Sequence, residues 1–240
     1  MTATPHLLAP VPQRIRAITL DLDDTLWPVW PTIERAEAVL HDWLSQHAPA
    51  TAARFDVKGL RALRNAVGAQ HPDQVHDLSW LRKTSLERAL TLAGEDPALA
   101  HPAFEVFFDH RQRVTLFDEV PRALAELARR YPVLALTNGN SDLHRIGLAQ
   151  HFQGVMTARE FGVGKPAPVF FHAACEQLGL PPEQVLHVGD DWALDVEGAH
   201  AAGLPSVWLH RAGHPPKPAD AQAQPWLVTD SLDGLLQALS

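Results

Sequence analysis

Short apolar runs alternate with helix-period segments along most of the chain. The run Ile15-Arg-Ala-Ile-Thr-Leu20 is rich in β-branched residues and stops at a cluster of acids, which predicts a buried strand. Three later segments have the same form, Val133–Thr137, Val185–Val188 and Ser206–Leu209, and Gly154–Thr157 is a further candidate with a less regular pattern. Helical periodicity separates them, at Pro121–Arg130, Val169–Leu178 and Asp195–Ala202. Strands that alternate with helices predict an α/β fold with a doubly wound parallel sheet.

The interval from Trp27 to Val114 has a different pattern, with helix-period segments and no convincing strand. The predicted helices are Thr32–His47, Val57–Ala69, Gln74–Ala93 and Pro97–Arg113. We therefore expect a core formed by residues 1–26 and 115–240, and an all-helical insert, residues 27–114, after the first strand. Ligands of open α/β sheets bind beyond the carboxyl ends of the strands, so this insert is expected to cover the site. A last strand, Trp226–Val228, and a helix, Leu232–Leu239, complete the core.

Composition and charge exclude several classes of protein. The formal charge of −8 and the absence of a Lys/Arg block argue against a nucleic-acid partner. No apolar run approaches the roughly 20 residues that span a bilayer, so no membrane partner is expected. With the single Cys175 and no signal-like pattern in Met1–Gln13, we expect a cytoplasmic protein. Both a monomer and a homodimer are compatible with the sequence.

The 14 histidines are scattered, and pairs such as His71/His76 and His210/His214 lack an accompanying ligand set. We therefore expect the histidines at surface or half-buried positions and no histidine metal centre.

The acids have a clearer pattern. Asp21, Asp23 and Asp24 directly follow the first predicted strand, where their charges repel unless a cation lies between them. Oxygen ligands suit Mg²⁺. Taken alone, the segment is also compatible with an Asp-capped turn.

Three further motifs lie beside later predicted strands and helices. Thr137-Asn-Gly-Asn140 offers a hydroxyl and an amide suited to phosphoryl oxygens, although a simple turn has the same composition. Gly164-Lys-Pro-Ala-Pro168 places Lys165, one of only four lysines, just before a helix, where a surface lysine is the alternative. Val188-Gly-Asp-Asp-Trp-Ala-Leu-Asp195 supplies a second acidic edge, in which Asp191 is also a candidate helix cap.

Taken in order, DxDxT, Thr-Asn, GKP and GDDxxxxD resemble the four motifs of the haloacid dehalogenase superfamily. The resemblance runs from about Arg14 to Leu239, and the helical insert is similar to that family's C1 cap. It implies a Rossmann-like core of the haloacid dehalogenase type. It also implies a Mg²⁺-dependent phosphatase that hydrolyses a small phosphorylated metabolite through an aspartyl-phosphate.

The resemblance also implies a role for each matching residue. Asp21 would be the nucleophile, and Asp23 the acid that protonates the leaving oxygen and then activates water. Lys165 would hold Asp21 and offset negative charge. The implied phosphoryl ligands are Thr137 and Asn138, and the implied metal ligands are Asp21, the Asp23 carbonyl and Asp190, with Asp195 orienting the metal shell or Lys165. Asp191 stands where similar proteins often have Ser or Thr, so its role is open.

Several other activities remain as alternatives. Dehalogenation needs the nucleophile but no acid two residues later, because halide leaves without a proton, so Asp23 argues against it. Phosphonate cleavage needs a cap lysine close behind the first motif, where neither Lys58 nor Lys83 lies. A phospho-receiver domain would be shorter and would lack the insert. A non-catalytic phosphate-binding module is the last alternative.

The wider similarity, including ITLDLDDTLWPVWP and LHVGDDWALDVEGAHAAG, most resembles bacterial phosphatases of flavin mononucleotide and of phosphorylated ribityl-aminouracil. Phosphoglycolate and nucleoside monophosphates are alternative substrates, since one core serves many. Trp30, in the insert, is a candidate for stacking on a flavin or uracil ring. Packing in a helical core is the other interpretation of this residue.

Overall fold

The computed structural model describes His6–Leu7 and residues 15–240. Apart from His6–Leu7, the amino-terminal arm before Ile15 and the sequence features predicted for it lie outside the described residues. Contacts divide the chain into two units. The core unit contains the described residues up to Trp27, together with Leu116–Gly139 and Gly147–Ser240. The helical unit contains Pro28–Thr115 and Asn140–Ile146.

The segment Asn140–Ile146 thus groups with the insert, although we expected all of residues 115–240 to group with the core. Hydrogen bonds explain this grouping. The Gln112 side chain accepts from the Asp142 backbone N–H at 2.8 Å, and Asn140 donates to the Ser79 hydroxyl at 3.2 Å. These partners are distant in sequence, so no local pattern indicated them.

The core unit is built on a seven-stranded sheet. Its strands are β1 (His6–Leu7), β2 (Ala17–Leu20), β3 (Val133–Thr137), β4 (Gly154–Thr157), β5 (Val185–Gly189), β6 (Ser206–Leu209) and β7 (Leu227–Thr229). Their order is β1-β7-β6-β5-β2-β3-β4. All neighbours pair in parallel except β1, which is antiparallel to β7 and was not predicted. The predicted doubly wound parallel sheet is confirmed, with β2 starting two residues later and β7 one residue later than expected.

The central strands read as continuous apolar runs because both of their faces are covered. Every residue of β2, β3, β5 and β6 is buried. One cluster joins Leu134 of β3 and Val185 of β5 to Phe170 and Phe171. A parallel sheet with both faces covered produces this pattern.

Helices of the core unit are α6 (Val120–Arg130), α8 (Ala158–Phe161), α9 (Pro168–Leu178), α10 (Gly198–Ala201) and α11 (Leu232–Ala238); α7 (Leu143–Ile146) belongs to the helical unit. The prediction of a single α-helix over Asp195–Ala202 is wrong, because two elements of different helical type occupy this region. A π-helical turn, Trp192–Glu197, precedes α10. Asp191 starts this turn by accepting a hydrogen bond from the Leu194 N–H at 2.9 Å, so it is the helix cap that the sequence suggested.

The helical unit contains α1 (Val29–His47), α2 (Pro49–Arg54), α3 (Val57–Gln70), α4 (Leu78–Ala93) and α5 (Ala100–Arg111). Helix α2 was not predicted. Helices α4 and α5 start later than expected because 3₁₀ turns, Pro72–Gln74 and Pro97–Leu99, precede them. Residues such as Leu40, Leu90 and Phe104 form its separate core. Within the described ranges, no helix is long and apolar enough to cross a membrane.

Replacing Leu134 tests the core packing. Leu134 is fully buried in β3, so Leu134→Ala should lower the free energy of unfolding by about 2–5 kcal/mol. Val169, in α9, is 53% exposed, and Val169→Ala should change that free energy by less than about 0.5 kcal/mol. Urea unfolding followed by circular dichroism measures both. Equal effects of the two substitutions would contradict the assignment of Leu134 to the core.

Candidate active site

Three neighbouring strands bring their polar ends to one edge of the sheet. Asp21 directly follows β2, Thr137 is the last residue of β3, and Asp190 directly follows β5. Strand β2 lies between β3 and β5, and the Asp21 backbone N–H donates to the Val188 carbonyl at 2.9 Å. The strand order therefore brings Asp21 beside two residues that lie more than 100 positions from it in the sequence.

Lys165 lies at the centre of this edge. Its Nζ is 2.5 Å from Oδ1 of Asp21 and 2.6 Å from Oδ1 of Asp195, and all three side chains are buried. Asn138 fixes the Lys165 backbone, because its amide donates to the Lys165 carbonyl and accepts from the Lys165 N–H, each at 2.8 Å. A Cβ on Gly164 would lie 2.2 Å from Oδ1 of Asn138, so only glycine permits this approach.

Asp195 is satisfied on both carboxylate oxygens. Oδ1, which contacts Lys165, also lies 2.9 Å from Nε2 of His187, and Oδ2 accepts from the Asp191 N–H at 2.9 Å. Nδ1 of His187 is 2.9 Å from the Thr19 hydroxyl. His187 is completely buried, so the expectation of surface or half-buried histidines is wrong for this residue. Its place within the apolar run Val185–Val188 was the available signal.

Asp190 is held through both its backbone and its side chain. The Thr25 hydroxyl donates to Oδ1 at 3.0 Å, and the Trp208 indole N–H donates to the carbonyl at 2.8 Å. Nδ1 of His214 lies 3.4 Å from Oδ2. Trp208 and His214 follow β5 in the sequence. No role was assigned from the sequence to these two residues or to Thr25. Their distances in sequence from Asp190 give no local pattern that would reveal them.

The turn after Asp21 has a fixed, unusual backbone. Asp24 has a φ of 58°, in the left-handed region that aspartate tolerates better than most residues. The Trp27 indole N–H donates to Oδ1 of Asp23 at 2.8 Å, which orients that carboxylate. Arg211 donates to the Thr25 carbonyl from Nε at 3.2 Å and from Nη2 at 2.8 Å. The turn is thus held by one neighbouring side chain, Trp27, and by Arg211, which is distant in the sequence.

The acids of the site differ in charge state. Burial raises the pKa of Asp21 to about 7, although Lys165 opposes this shift. Burial and the charges of Asp21 and Asp195 raise the pKa of Asp190 to about 9. Burial alone would also raise the pKa of Asp195, but Lys165 and His187 outweigh it and hold that pKa below its usual value. Burial lowers the pKa of Lys165 less than the two carboxylates raise it. Lys165 and Asp195 therefore form a charged pair, and unrelieved repulsion concentrates on Asp21 and Asp190.

Oxygen atoms of Asp21, Asp190 and Asp195 lie within 4.8 Å of one another. Both oxygens of Asp195 already accept hydrogen bonds, which leaves Asp21 and Asp190 with capacity for a cation. Mg²⁺ prefers oxygen ligands, and one or two carboxylates with water are its usual protein ligands. The donor set therefore fits this ion, and its charge would relieve the repulsion between the two acids.

Three further residues were predicted to bind the substrate: Thr137, Asn138 and Trp30. The Thr137 hydroxyl accepts from the Gly139 N–H at 2.9 Å, which leaves its own proton for another acceptor. Asn138 fixes Lys165, and its part in phosphoryl binding stays a prediction. Trp30 belongs to the helical unit, at the start of α1, where it is 56% exposed. Its role in substrate binding also stays a prediction.

A parallel sheet with a buried Lys–Asp site at its carboxyl edge and an inserted helical unit defines a class of α/β hydrolases. Residues 15–203 match the family described as haloacid dehalogenase-like hydrolase, and the chain belongs to this family. The family resemblance drawn from the four motifs is thereby confirmed.

Two relatives are named phosphatases. The 5-amino-6-(5-phospho-D-ribitylamino)uracil phosphatase YigB of Escherichia coli is 36% identical, over 82% of this chain and 84% of its own length. The phosphoserine phosphatase of Thermus thermophilus is 38% identical, over 82% of this chain and 74% of its own. With the family match, they confirm the expected enzyme class, and the chain is a phosphoric monoester hydrolase.

One similar solved structure is named a dehalogenase and not a phosphatase. The 2-haloacid dehalogenase from Pseudomonas syringae pv. Tomato is 37% identical, with a TM-score of 0.86, and the match covers 94% of this chain and 98% of that one. The fold is therefore shared between proteins that are named for two kinds of displacement reaction.

The raised pKa values predict a pH-dependent metal affinity. A Mg²⁺ ion bound by Asp21 and Asp190 would compete with protons for these carboxylates, whose pKa values are raised to about 7 and about 9, so its affinity should rise as pH increases through this range. Binding near neutral pH should release protons. Calorimetry in buffers of different ionisation enthalpy measures both quantities. Asp190→Asn should weaken binding and reduce proton release, and a pH-independent affinity in the unchanged protein would contradict the assignment.

Proposed function

We propose that this chain is a Mg²⁺-dependent phosphatase of small phosphorylated metabolites that forms an aspartyl-phosphate on Asp21. The observation that carries the proposal is the contact of 2.5 Å between Nζ of Lys165 and Oδ1 of Asp21, beside Asp190 at the edge of the sheet. A buried ammonium on one oxygen leaves the other oxygen of Asp21 for attack and keeps the carboxylate in one orientation. The phosphatase names of two relatives agree with this chemistry.

The proposed reaction has two displacement steps. Asp21 attacks phosphorus, the bond to the ester oxygen breaks, and Asp23 gives that oxygen its proton. Asp23 then takes a proton from water, which attacks phosphorus and releases phosphate and the Asp21 carboxylate. Mg²⁺ held by Asp21 and Asp190 would supply positive charge against the phosphate's negative charge.

The other residues of the site bind and orient. The Thr137 hydroxyl donates to a phosphoryl oxygen, and Lys165 offsets the charge that develops there. The Trp27 indole keeps the Asp23 carboxylate in place through its hydrogen bond of 2.8 Å. Asp195 positions Lys165. These roles follow the residue types and contacts, because a carboxylate is a weak nucleophile that needs a fixed position and a screened phosphate.

For the substrate we propose the phosphorylated ribityl-aminouracil, after which the Escherichia coli relative is named, or flavin mononucleotide. Phosphoserine, from the name of the Thermus relative, joins phosphoglycolate and nucleoside monophosphates as alternatives. We propose Trp30 as the residue that stacks on a substrate ring. Its ring is more than half exposed, and the Arg61 guanidinium lies 5.3 Å from the ring centre, which adds a hydrogen-bond donor beside the aromatic face.

Dehalogenation is the second candidate, favoured by the name of the structure from Pseudomonas syringae. A halide leaves without a proton, so this reaction has no use for an oriented acid at Asp23. The hydrogen bond from Trp27 to Asp23 therefore favours ester hydrolysis.

Substitution of the two acids tests the proposed reaction. Asp21→Asn should abolish Mg²⁺-dependent hydrolysis of p-nitrophenyl phosphate, and Asp23→Asn should lower kcat by about 10²–10⁴-fold through loss of the acid. Asp191→Asn keeps the helix cap and serves as the control with near-normal activity. Halide release from 2-chloropropionate, measured in parallel, should be absent. No phosphatase turnover would favour a binding module, and halide release without phosphate release would favour a dehalogenase.

Replacing Trp30 tests the stacking role. Stacking of a ring on an aromatic side chain contributes about 1–3 kcal/mol, so Trp30→Ala should raise the KM for flavin mononucleotide at least about fivefold. Trp30→Phe keeps a ring and should lose less. Phosphoserine, which has no ring, is the control substrate and should keep its KM. Equal changes for the two substrates would remove the stacking role.

A further inference from the structure

We propose that His187 is a positioning residue for the reaction: a neutral imidazole that holds Asp195 and, through Asp195, fixes the ammonium of Lys165 beside Asp21. The inference rests on the proposed function for its effect on catalysis. Its structural part, the protonation pattern of the ring, stands on the contacts and the burial of His187 and does not depend on that function.

Thr19, His187, Asp195, Lys165 and Asp21 form a continuous chain of polar contacts beneath the site. Successive contacts measure 2.9, 2.9, 2.6 and 2.5 Å. None of these residues is more than 7% exposed. A buried polar chain in which every member has a partner at hydrogen-bond distance holds its side chains in one arrangement.

The partners of His187 determine which ring nitrogen carries the proton. The Asp195 carboxylate can only accept, so Nε2 must donate to it. The Thr19 hydroxyl can donate or accept, but burial lowers the pKa of His187 and favours the neutral ring, so Nδ1 accepts the proton of that hydroxyl at 2.9 Å. Phe171 packs edge-on against the ring, with centroids 5.0 Å apart, and offers no polar atom to a second N–H. His187 is therefore neutral, with its proton on Nε2.

The hydrogen bond from His187 constrains Oδ1 of Asp195, the same oxygen that contacts Lys165. Together with the Asp191 N–H on the other oxygen, it leaves the carboxylate one orientation, and that orientation sets the position of Lys165. A Cβ on Gly189 would lie 2.2 Å from the Asp195 carboxylate carbon, so the absence of a side chain at this position of β5 makes room for the Asp195 carboxylate. Loss of the His187 hydrogen bond would let Asp195 rotate and Lys165 shift. Because Lys165 offsets charge that develops during attack, the loss should appear in kcat and not in KM.

Two amide substitutions separate the contacts of the ring. In His187→Gln the amide nitrogen can take the place of Nε2 and donate to Asp195, whereas the shorter His187→Asn reaches only towards Thr19. We expect His187→Asn to lower kcat at least about tenfold and His187→Gln less than about threefold, both with KM nearly unchanged, since outer hydrogen-bond partners of active sites typically contribute 10–100-fold. His172→Gln is the matched control. Nε2 of His172 lies 3.0 Å from the Ala202 carbonyl, and His172 does not belong to the chain of polar contacts from Thr19 to Asp21.

Nitrogen-15 NMR of the unchanged protein tests the ring itself and should report His187 as the neutral Nε2–H form. A charged ring, or a proton on Nδ1, would overturn the inference whatever the activity. So would a folded His187→Asn variant, verified by circular dichroism, with normal kcat. If His187→Asn does not fold, two other variants test the inference. NMR of Thr19→Val should still show the Nε2–H form of His187. A tenfold loss of kcat in His187→Gln would count against the inference. Absence of phosphatase turnover in the unchanged protein would refute the proposed function and leave the NMR test in force.

Discussion

The site depends on one buried ammonium between two carboxylates. A lysine enclosed at the edge of a sheet is tolerated only when opposite charge and hydrogen bonds compensate for its lost hydration. Asp21 and Asp195 supply that charge, and Asn138 fixes the backbone that carries the lysine. Gly164 lacks the side chain that would block this approach. Much of the carboxyl edge of the sheet is thus arranged around Lys165.

The acids around Lys165 are not equivalent, and this difference gives the site its chemistry. Asp195 has a partner on each oxygen and stays ionised, whereas Asp21 and Asp190 repel each other in a buried setting. Their raised pKa values mark a site that is incomplete without additional positive charge. A divalent cation held by Asp21 and Asp190 would complete it, and the combined positive charge would suit a phosphoryl group. The same features that cost stability in the protein alone therefore prepare it for its substrate.

Fold and family leave the substrate open, because proteins of this architecture carry both phosphatase and dehalogenase names. In the proposed mechanism, Asp23 and the Trp27 indole that orients it distinguish the two reactions, since only an ester oxygen needs a proton on leaving. The identity of the phosphorylated metabolite depends on residues outside this set. Trp30 and Arg61 in the helical unit are the proposed determinants, and they differ in kind from the core motifs, because they would bind a ring and not a phosphate.

The sequence by itself determined six of the seven strands, the order of the motifs and the acids and lysine that meet at the edge of the sheet. Apolar runs that end in acids, such as Ile15–Leu20 before Asp21, mark both a covered strand and its carboxyl end. Only the tertiary structure decided what supports these residues. The role of His187 depends on Thr19 and Asp195, and the position of Asp190 depends on Thr25 and Trp208. These partners meet because β2, β5 and β6 are adjacent in the sheet, and strand order is a property of the whole chain that no local pattern encodes.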